Sequence, residues 1–256
     1  MTRPSLLTTI LGFMLIGTVY LPQPIAAQSM QPDHHAPTAN TIPFLSPTPP
    51  DTGEPTTGAD RGGSTRDPIV ALVPLAKSAG TQIDQRWGLT TVDRPTFWFH
   101  LPDQILANQE ATFTLRDGTG AMVYQTKFTT PATAPVTFKV VLPATVPPLA
   151  VHRSYRWQLA MELPEVDDLR MITGLVQRSQ PSAQLRQQLA TAKTPFEQAV
   201  IYAQHGIWYD ALTIVGNEQL AGRHDSAIAA AWSDLLKQIK LQGIAAVPIR
   251  SLKHNN

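Results

Sequence analysis

The sequence has no cysteine, so it can form no disulfide and cannot carry a lipid anchor on an N-terminal cysteine. After residue 20 it has no apolar run long enough to span a bilayer. It also lacks a basic stretch with interleaved aromatic residues, and Lys plus Arg (20) nearly equals Asp plus Glu (19). Nucleic acid and anionic lipid are therefore not expected partners, and stability must come from a sizeable apolar core.

The N-terminus has the three-part pattern of an export signal. Arg3 precedes an apolar run over residues 6–20, and prolines then lead to the small residue Ala27. This order predicts a cleavable signal peptide over residues 1–27 and a periplasmic or extracellular protein. The alternative, an uncleaved anchor, would need about 20 apolar residues, which is more than the run provides. We expect no stable membrane insertion after cleavage.

Residues 28–67 are rich in Pro, Thr, Gly, Ser and Asp. Because such a segment has few apolar side chains to bury, we predict a disordered linker here. Its adjacent pair His34 and His35 is at most a weak metal site.

Residues 68–178 alternate between apolar and polar side chains with a period of two, which is typical of strands with one buried face. The run from Tyr155 to Leu163 is the clearest case, and Asp117-Gly118 predicts a tight β-hairpin. The predicted strands cover residues 69–73, 88–92, 96–101, 111–115, 122–128, 136–142, 155–163 and 171–176. Their short connections favour a nearly all-antiparallel, immunoglobulin-like or fibronectin-like sandwich, with a small barrel as the competing topology.

Residues 179–247 change to a helical period. Thr194-Pro195-Phe196-Glu197 predicts a helix start with a capping box, and Gly206 predicts the end of that helix. Further helices are predicted near residues 182–192, from residue 207, and over 226–240, with residues 248–256 as a C-terminal tail. The small residues between Ala199 and Leu212 resemble the turn of one tetratricopeptide (TPR) repeat, so the fold class is α+β: a β-sandwich followed by a short TPR-like α-helical bundle.

No motif of an enzyme or cofactor site is present. The sequence lacks a G-x-S-x-G nucleophile turn, an H-E-x-x-H metal pair and a phosphate-binding glycine loop. The carboxylates Glu162, Glu165, Asp167 and Asp168 are more typical of a solvated turn than of a glycosidase pair. We therefore predict a protein that is not an enzyme and has no catalytic, cofactor or metal residues.

Aromatic residues mark a candidate recognition or interdomain surface. In the strand Phe97-Trp98-Phe99, Trp98 and His100 must point away from Phe97 and Phe99. Trp98 is then either exposed to a ligand or buried against Trp208 and Tyr209, and burial is favoured. The full candidate set is Asp93, Arg94, Trp98, His100, Trp208, Tyr209 and Asp210.

Three blocks carry a resemblance to a known family. They are residues 94–102 (Arg-Pro-Thr-Phe-Trp-Phe-His-Leu-Pro), Tyr155-Arg156-Trp157, and residues 206–212 (Gly-Ile-Trp-Tyr-Asp-Ala-Leu). Over about residues 60–245 the chain resembles the domain of unknown function 928 family of exported proteins, found largely in photosynthetic bacteria. The resemblance implies export and domain boundaries but no activity, and the cysteines common in relatives are missing here.

The functional expectation is an exported, non-catalytic envelope protein that binds an unidentified protein partner. One alternative is an accessory partner of a membrane-bound signalling protein. Another is an envelope protein that binds or cleaves carbohydrate through Trp98 and the acidic turn.

Overall fold

The structure is a computed structural model that describes residues 42–49, 69–77, 84–102, 106–163, 168–223 and 225–252. All of them belong to one compact unit. The predicted signal peptide, the pair His34 and His35, and most of the predicted linker lie outside these ranges.

The described residues form nine strands, then four α-helices and one short 3₁₀-helix, and finally a tenth strand. The strands are β1 (Val70–Ala71), β2 (Leu75–Lys77), β3 (Asp84–Thr90), β4 (Thr96–Leu101), β5 (Glu110–Arg116), β6 (Met122–Thr129), β7 (Val136–Val141), β8 (Ser154–Leu163), β9 (Asp168–Arg178) and β10 (Ile249–Arg250). The helices are α1 (Ala183–Thr191), α2 (Pro195–Gln204), α3 (Trp208–Leu220) and α4 (Ser226–Gln238), and the 3₁₀-helix is Gln242–Ile244. The α+β class is confirmed.

The strands form a four-stranded sheet, β1-β4-β7-β10, and a six-stranded sheet, β2-β3-β9-β8-β5-β6. Most neighbours are antiparallel, but β3 pairs with β9, and β10 with β7, in parallel. Short loops predict antiparallel pairing only between strands that follow each other in the sequence. The two parallel pairs join strands that are far apart in the sequence, so loop length could not predict them.

The two sheets share one apolar core. Phe97 of β4 packs against Phe113 of β5 with ring centroids 4.9 Å apart, and Phe99 packs edge-on against Trp157 of β8 at 5.6 Å. The alternating large residues of β8 are all buried, as their period predicts. Each aromatic pair adds about 0.5–1.5 kcal/mol to the burial of its area.

The predicted hairpin is confirmed between β5 and β6. The Asp117 carboxylate accepts hydrogen bonds from the backbone N–H groups of Thr119 (2.9 Å) and Ala121 (3.0 Å), and Gly120 has φ +84°. An aspartate side chain that bonds the turn in this way, with a glycine where φ is positive, explains the tight reversal.

The helices form a third layer on the outer face of the four-stranded sheet. Here α2 and α3 are joined by a turn at Gly206 (φ +73°), and Thr194 and Glu197 form the predicted capping box at the start of α2. Helix α3 contacts β4 and β10 of this sheet and also β3 of the six-stranded sheet. As a result all six residues of β4 are buried, which agrees with the burial favoured for Trp98 on the face away from Phe97 and Phe99.

Two terminal segments differ from their predictions. Within the predicted linker, residues 42–49 pack on the helical layer, and Ile42 has no exposed surface. Within the predicted tail, Ile249–Arg250 adds β10 to the edge of β7. In both cases a few apolar residues in a polar or short segment are enough to dock it on a surface that already exists.

Candidate functional site

Trp98 lies at the centre of the seam between the four-stranded sheet and the helices. It is 1% exposed, its indole N–H donates to Thr213 Oγ1 at 3.2 Å, and its ring packs edge-on against Trp232 with centroids 5.9 Å apart. A Cβ atom at Gly216 would lie 2.6 Å from the Trp98 ring, so only glycine lets α3 pass this closely. The alternative of an exposed, ligand-stacking Trp98 is therefore wrong.

Trp208 and Tyr209 are both buried in the first turn of α3, Trp208 in the same apolar cluster as Trp98 and Tyr209 in the core of the two sheets. The Trp208 indole N–H donates to the Leu72 carbonyl at 2.8 Å. The Tyr209 hydroxyl donates to the Leu175 carbonyl at 3.1 Å and accepts from the Trp157 indole N–H at 2.8 Å. Burial raises the pKa of Tyr209 above the ordinary tyrosine value. The neutral hydroxyl therefore acts as a fixed structural bridge between α3 and the sheet core.

Asp210 is a buried carboxylate at the same end of α3. It accepts hydrogen bonds from Thr90 Oγ1 (2.5 Å), the Thr91 backbone N–H (2.9 Å) and the Thr91 hydroxyl. Burial raises the pKa of Asp210, and these hydrogen bonds oppose that shift only in part. The group ties the end of β3 to α3, and a position in the first helical turn also suits a negative charge.

Asp93 and Arg94 fix the turn before β4. Their side chains form an ion pair at 3.1 Å, Arg94 Nε donates to the Val146 carbonyl at 2.8 Å, and the Asp93 carbonyl accepts from Leu149 N–H at 2.9 Å. Both residues thus hold the 143–149 loop against the strand entrance. Their contacts are those of a structural turn.

His100 is 3% exposed on β4, and its Nδ1 lies 3.4 Å from Thr137 Oγ1. Burial lowers the pKa of His100, so the ring is held in its neutral form. Within the described residues no three His, Asp or Glu side chains come together as a metal-binding group. The geometry makes His100 part of the packed sheet interior.

The acidic turn does not form a pair of free carboxylates among the residues described. Glu162 is exposed, and Asp168 is bound to buried Arg170 with its oxygen 2.8 Å from Nε. Glu165 and Asp167 lie outside the described residues. With Trp98 buried as well, the carbohydrate hypothesis loses the stacking residue on which it depended.

An open groove of about 540 Å³ was not predicted from the sequence. It lies between the end of α3, the middle of α4 and the segment 245–250 that includes β10. Its lining consists of apolar side chains and main-chain atoms, together with the polar side chains of Gln219 and Arg250. The full set of lining residues is Gln219, Leu220, Gly222, Ala229, Trp232, Ala245, Ala246, Val247, Pro248, Ile249 and Arg250. A groove of this composition can bind a ligand but has no proton-transfer pair.

A second contact surface, also not predicted, is formed by residues 42–49 on α2, α3 and α4. Phe44 packs edge-on against Trp208 with centroids 4.8 Å apart, and Leu45 N–H donates to the Ala203 carbonyl at 3.1 Å. The only signal in the sequence was the presence of Ile42, Phe44 and Leu45 in an otherwise polar region.

In the described part of the chain, no helix has both the length and the apolar character required to cross a membrane.

Comparison with known proteins adds a family but no activity. No curated protein matches the chain. A solved structure of the Parabacteroides merdae β-glucuronidase, with glycerol in its active site, matches at 16% identity and a TM-score of 0.24. That match covers 31% of this chain and 10% of the glucuronidase chain, so it supports no conclusion about fold or function.

The family model of the domain of unknown function 928 matches residues 56–249, well over half of the chain. This range contains all four α-helices and, apart from Arg250, every residue of the two sheets and of the groove. The chain belongs to the domain of unknown function 928 (DUF928) family.

Proposed function

We propose that this protein is an exported, non-catalytic interaction module of the cell envelope, and that it binds a protein partner at the groove between α3, α4 and residues 245–250. The observation that carries the proposal is the chemistry of the groove. Trp232, which is buried, and Arg250, which is exposed, both line it, and tryptophan and arginine are enriched at protein interfaces.

The polar candidates support binding over catalysis. Asp210, His100 and Tyr209 are all buried, each is hydrogen-bonded to other protein groups, and none of them lines the groove. Of the two polar side chains of the groove, Gln219 can donate and accept hydrogen bonds and Arg250 can only donate them, and neither is suited to proton transfer at neutral pH. The site is therefore suited to recognition.

We further propose that the two sheets form an immunoglobulin-like sandwich. Strands β9-β8-β5 follow the G-F-C order of that fold, and β4-β7 its B-E pair. Tyr155, near the start of β8, accepts a hydrogen bond from the Ala150 backbone N–H at 2.9 Å, which resembles the tyrosine corner of such domains.

The helical hairpin α2–α3 is proposed to be a single TPR-like unit. Buried Ala199, Ala203 and Ala211 allow the two helices to approach closely, and Gly206 permits the turn between them. Both scaffolds are used widely for recognition, which agrees with the proposed role, although fold alone cannot assign it.

The test is site-specific photo-crosslinking in intact cells. A photoreactive residue at Ala246, in the groove, should give a reproducible adduct with an envelope protein. The matched control is the same residue at exposed Gln125 on β6, a strand that contributes no residue to the groove lining. Adducts of equal yield and identity at both positions, or none at Ala246, would contradict the proposal.

A further inference from the structure

We infer that α2, α3 and α4 form a binding site for an extended peptide, and that residues 42–49 occupy it in cis until a partner's peptide of the same pattern displaces them. We call these residues the 42–49 segment. This inference rests on the proposed function as an interaction module and names a second surface together with the chemistry of its partner.

The site holds the main chain of the segment through one side chain. The Gln238 carboxamide accepts from Phe44 N–H at 2.7 Å and donates to the Ile42 carbonyl at 2.5 Å. In an extended chain the carbonyl of one residue and the N–H two residues later point the same way, so one carboxamide can bind both. Any extended peptide could make these two bonds, which is how peptide-binding domains gain affinity.

Side-chain contacts define the preferred sequence. Ile42 is completely buried in the apolar cluster that includes Ala199, Ala203 and Leu235. Phe44, two residues later, packs on the Trp208 ring at 4.8 Å. The intervening Pro43 is exposed. The pattern that fits is therefore a branched aliphatic residue, any residue, and then an aromatic residue.

Gly206 leaves room for the peptide to pass the α2–α3 turn. A Cβ atom at this position would lie 2.7 Å from the Leu45 carbonyl oxygen and 3.2 Å from Pro47. The glycine thus serves two purposes, since its φ of +73° also shapes the turn.

The segment is attached to the domain more loosely than a core element. It forms no helix or strand, only Ile42 and Pro49 are buried, and Leu45 is 65% exposed. The family match begins at residue 56, so the family domain contains the residues that build the site but not the segment that fills it. A domain with a separable occupant is the arrangement expected of a receptor inhibited in cis.

The connection to Ile69 keeps the segment close to its site. Because the segment belongs to the same chain, its rebinding is intramolecular, with an effective concentration on the order of millimolar, so a free peptide at micromolar concentration competes poorly. Cutting the connection removes this advantage and exposes the intrinsic affinity of the site.

The experiment uses the full chain with a specific protease site inserted after Thr57. The purified protein is cut, diluted and mixed with a fluorescein-labelled peptide of residues 42–49, and binding is followed by anisotropy. We expect the peptide to bind the cut protein at least about tenfold more tightly than the uncut protein, with an unchanged helical circular dichroism signal. Changing both Ile42 and Phe44 of the peptide to serine should abolish binding.

Gln238→Ala in the cut protein should weaken peptide binding by roughly five- to tenfold, the loss expected for one or two hydrogen bonds. Gln242→Ala is the matched control, because Gln242 is an exposed glutamine on the 3₁₀-helix that follows α4, and it should leave binding unchanged. The inference is overturned if the labelled peptide never enters the cut protein, or enters only as helical signal is lost, because the segment would then be a permanent part of the fold.

The outcome separates the two proposals. If peptide exchange fails while Ala246 still crosslinks an envelope protein, the interaction module survives without this site. If exchange succeeds but no partner crosslinks at the groove, the peptide site stands and the groove proposal fails.

Discussion

The helical layer makes two contacts of different character, one with the two sheets and one with the 42–49 segment. The sheet contact buries Trp98, Trp208 and Tyr209, and a glycine beside the Trp98 ring lets the elements approach closely. The segment contact buries Ile42 and Pro49, places Phe44 against the Trp208 ring, and adds main-chain hydrogen bonds to the Gln238 side chain and the Ala203 carbonyl. We expect the sheet contact, with its interlocking aromatic side chains, to be permanent. The 42–49 segment, which is held largely at its main chain, can dissociate from the helices while the domain stays folded.

The first way to test this difference is Trp98→Ala. Removing a completely buried tryptophan from the seam should lower the free energy of unfolding by about 3–5 kcal/mol. Guanidinium chloride unfolding followed by circular dichroism measures the loss. Val141→Ala on β7, where Val141 is 49% exposed, is the control and should change it by less than about 0.5 kcal/mol. A Trp98→Ala loss below about 1 kcal/mol would show that the seam is not the permanent contact.

Asp210→Asn tests the polar part of the seam. The amide cannot accept from all three donors of Thr90 and Thr91, so the variant should lose about 1–3 kcal/mol of unfolding free energy. Burial raises the pKa of Asp210 in the folded protein. The contribution of this pKa difference to stability is therefore complete below the pKa of the unfolded chain, about 3.9, and is lost as the pH rises through the pKa of the folded protein.

The difference in unfolding free energy between wild type and Asp210→Asn should therefore grow as pH is lowered from 7 to 4. Chemical unfolding at several pH values measures it. A difference that shrinks on acidification would mean that the folded pKa of Asp210 is lowered instead.

Ile42→Ala makes the corresponding change in the 42–49 segment. In a permanent core this change costs about 2–5 kcal/mol. If the segment can undock while the rest of the domain stays folded, a substitution in it can lower the free energy of unfolding by no more than the docking free energy of the segment. We therefore expect a loss of unfolding free energy below about 2 kcal/mol. The same denaturant titration applies, and a loss as large as that of Trp98→Ala would make the two contacts equivalent.

The smallest expected effect is the pH response of His100. Burial lowers its pKa, so its stabilising contribution is present above the unfolded value of about 6.5 and is lost as pH falls through the folded value. Each unit of pKa difference corresponds to about 1.4 kcal/mol. His100→Gln should remove this part of the acid destabilisation. Identical pH profiles of unfolding free energy for wild type and variant between pH 7 and 5 would contradict it.

Much of the architecture was predictable because its signals are local. The period-two pattern of β8, the Asp117-Gly118 turn and the capping box at Thr194 each depend on residues close together in sequence. The burial of Trp98 was also favoured. Its ring packs against Trp232 and its indole N–H donates to Thr213, two partners that were not predicted, and Trp208 lies in the same apolar cluster.

The contacts that were missed join distant parts of the chain. The parallel pairing of β3 with β9 and of β10 with β7 has no local signature. The carboxamide of Gln238 reaches a segment almost two hundred residues earlier, and an exposed glutamine on a helix gives no sign of such a partner. The groove likewise arises only when α3, α4 and residues 245–250 come together.

The difference between the two contacts is tested most directly by native-state hydrogen exchange of two backbone amides. Leu72 N–H donates to the Trp98 carbonyl in the seam at 2.9 Å, and Leu45 N–H donates to the Ala203 carbonyl at the edge of the helical layer at 3.1 Å. We expect Leu72 to exchange only through global unfolding, and Leu45 to exchange at least about 100-fold faster through local release of the segment. Equal protection of both amides would contradict the account, because the segment would then open only when the whole domain unfolds.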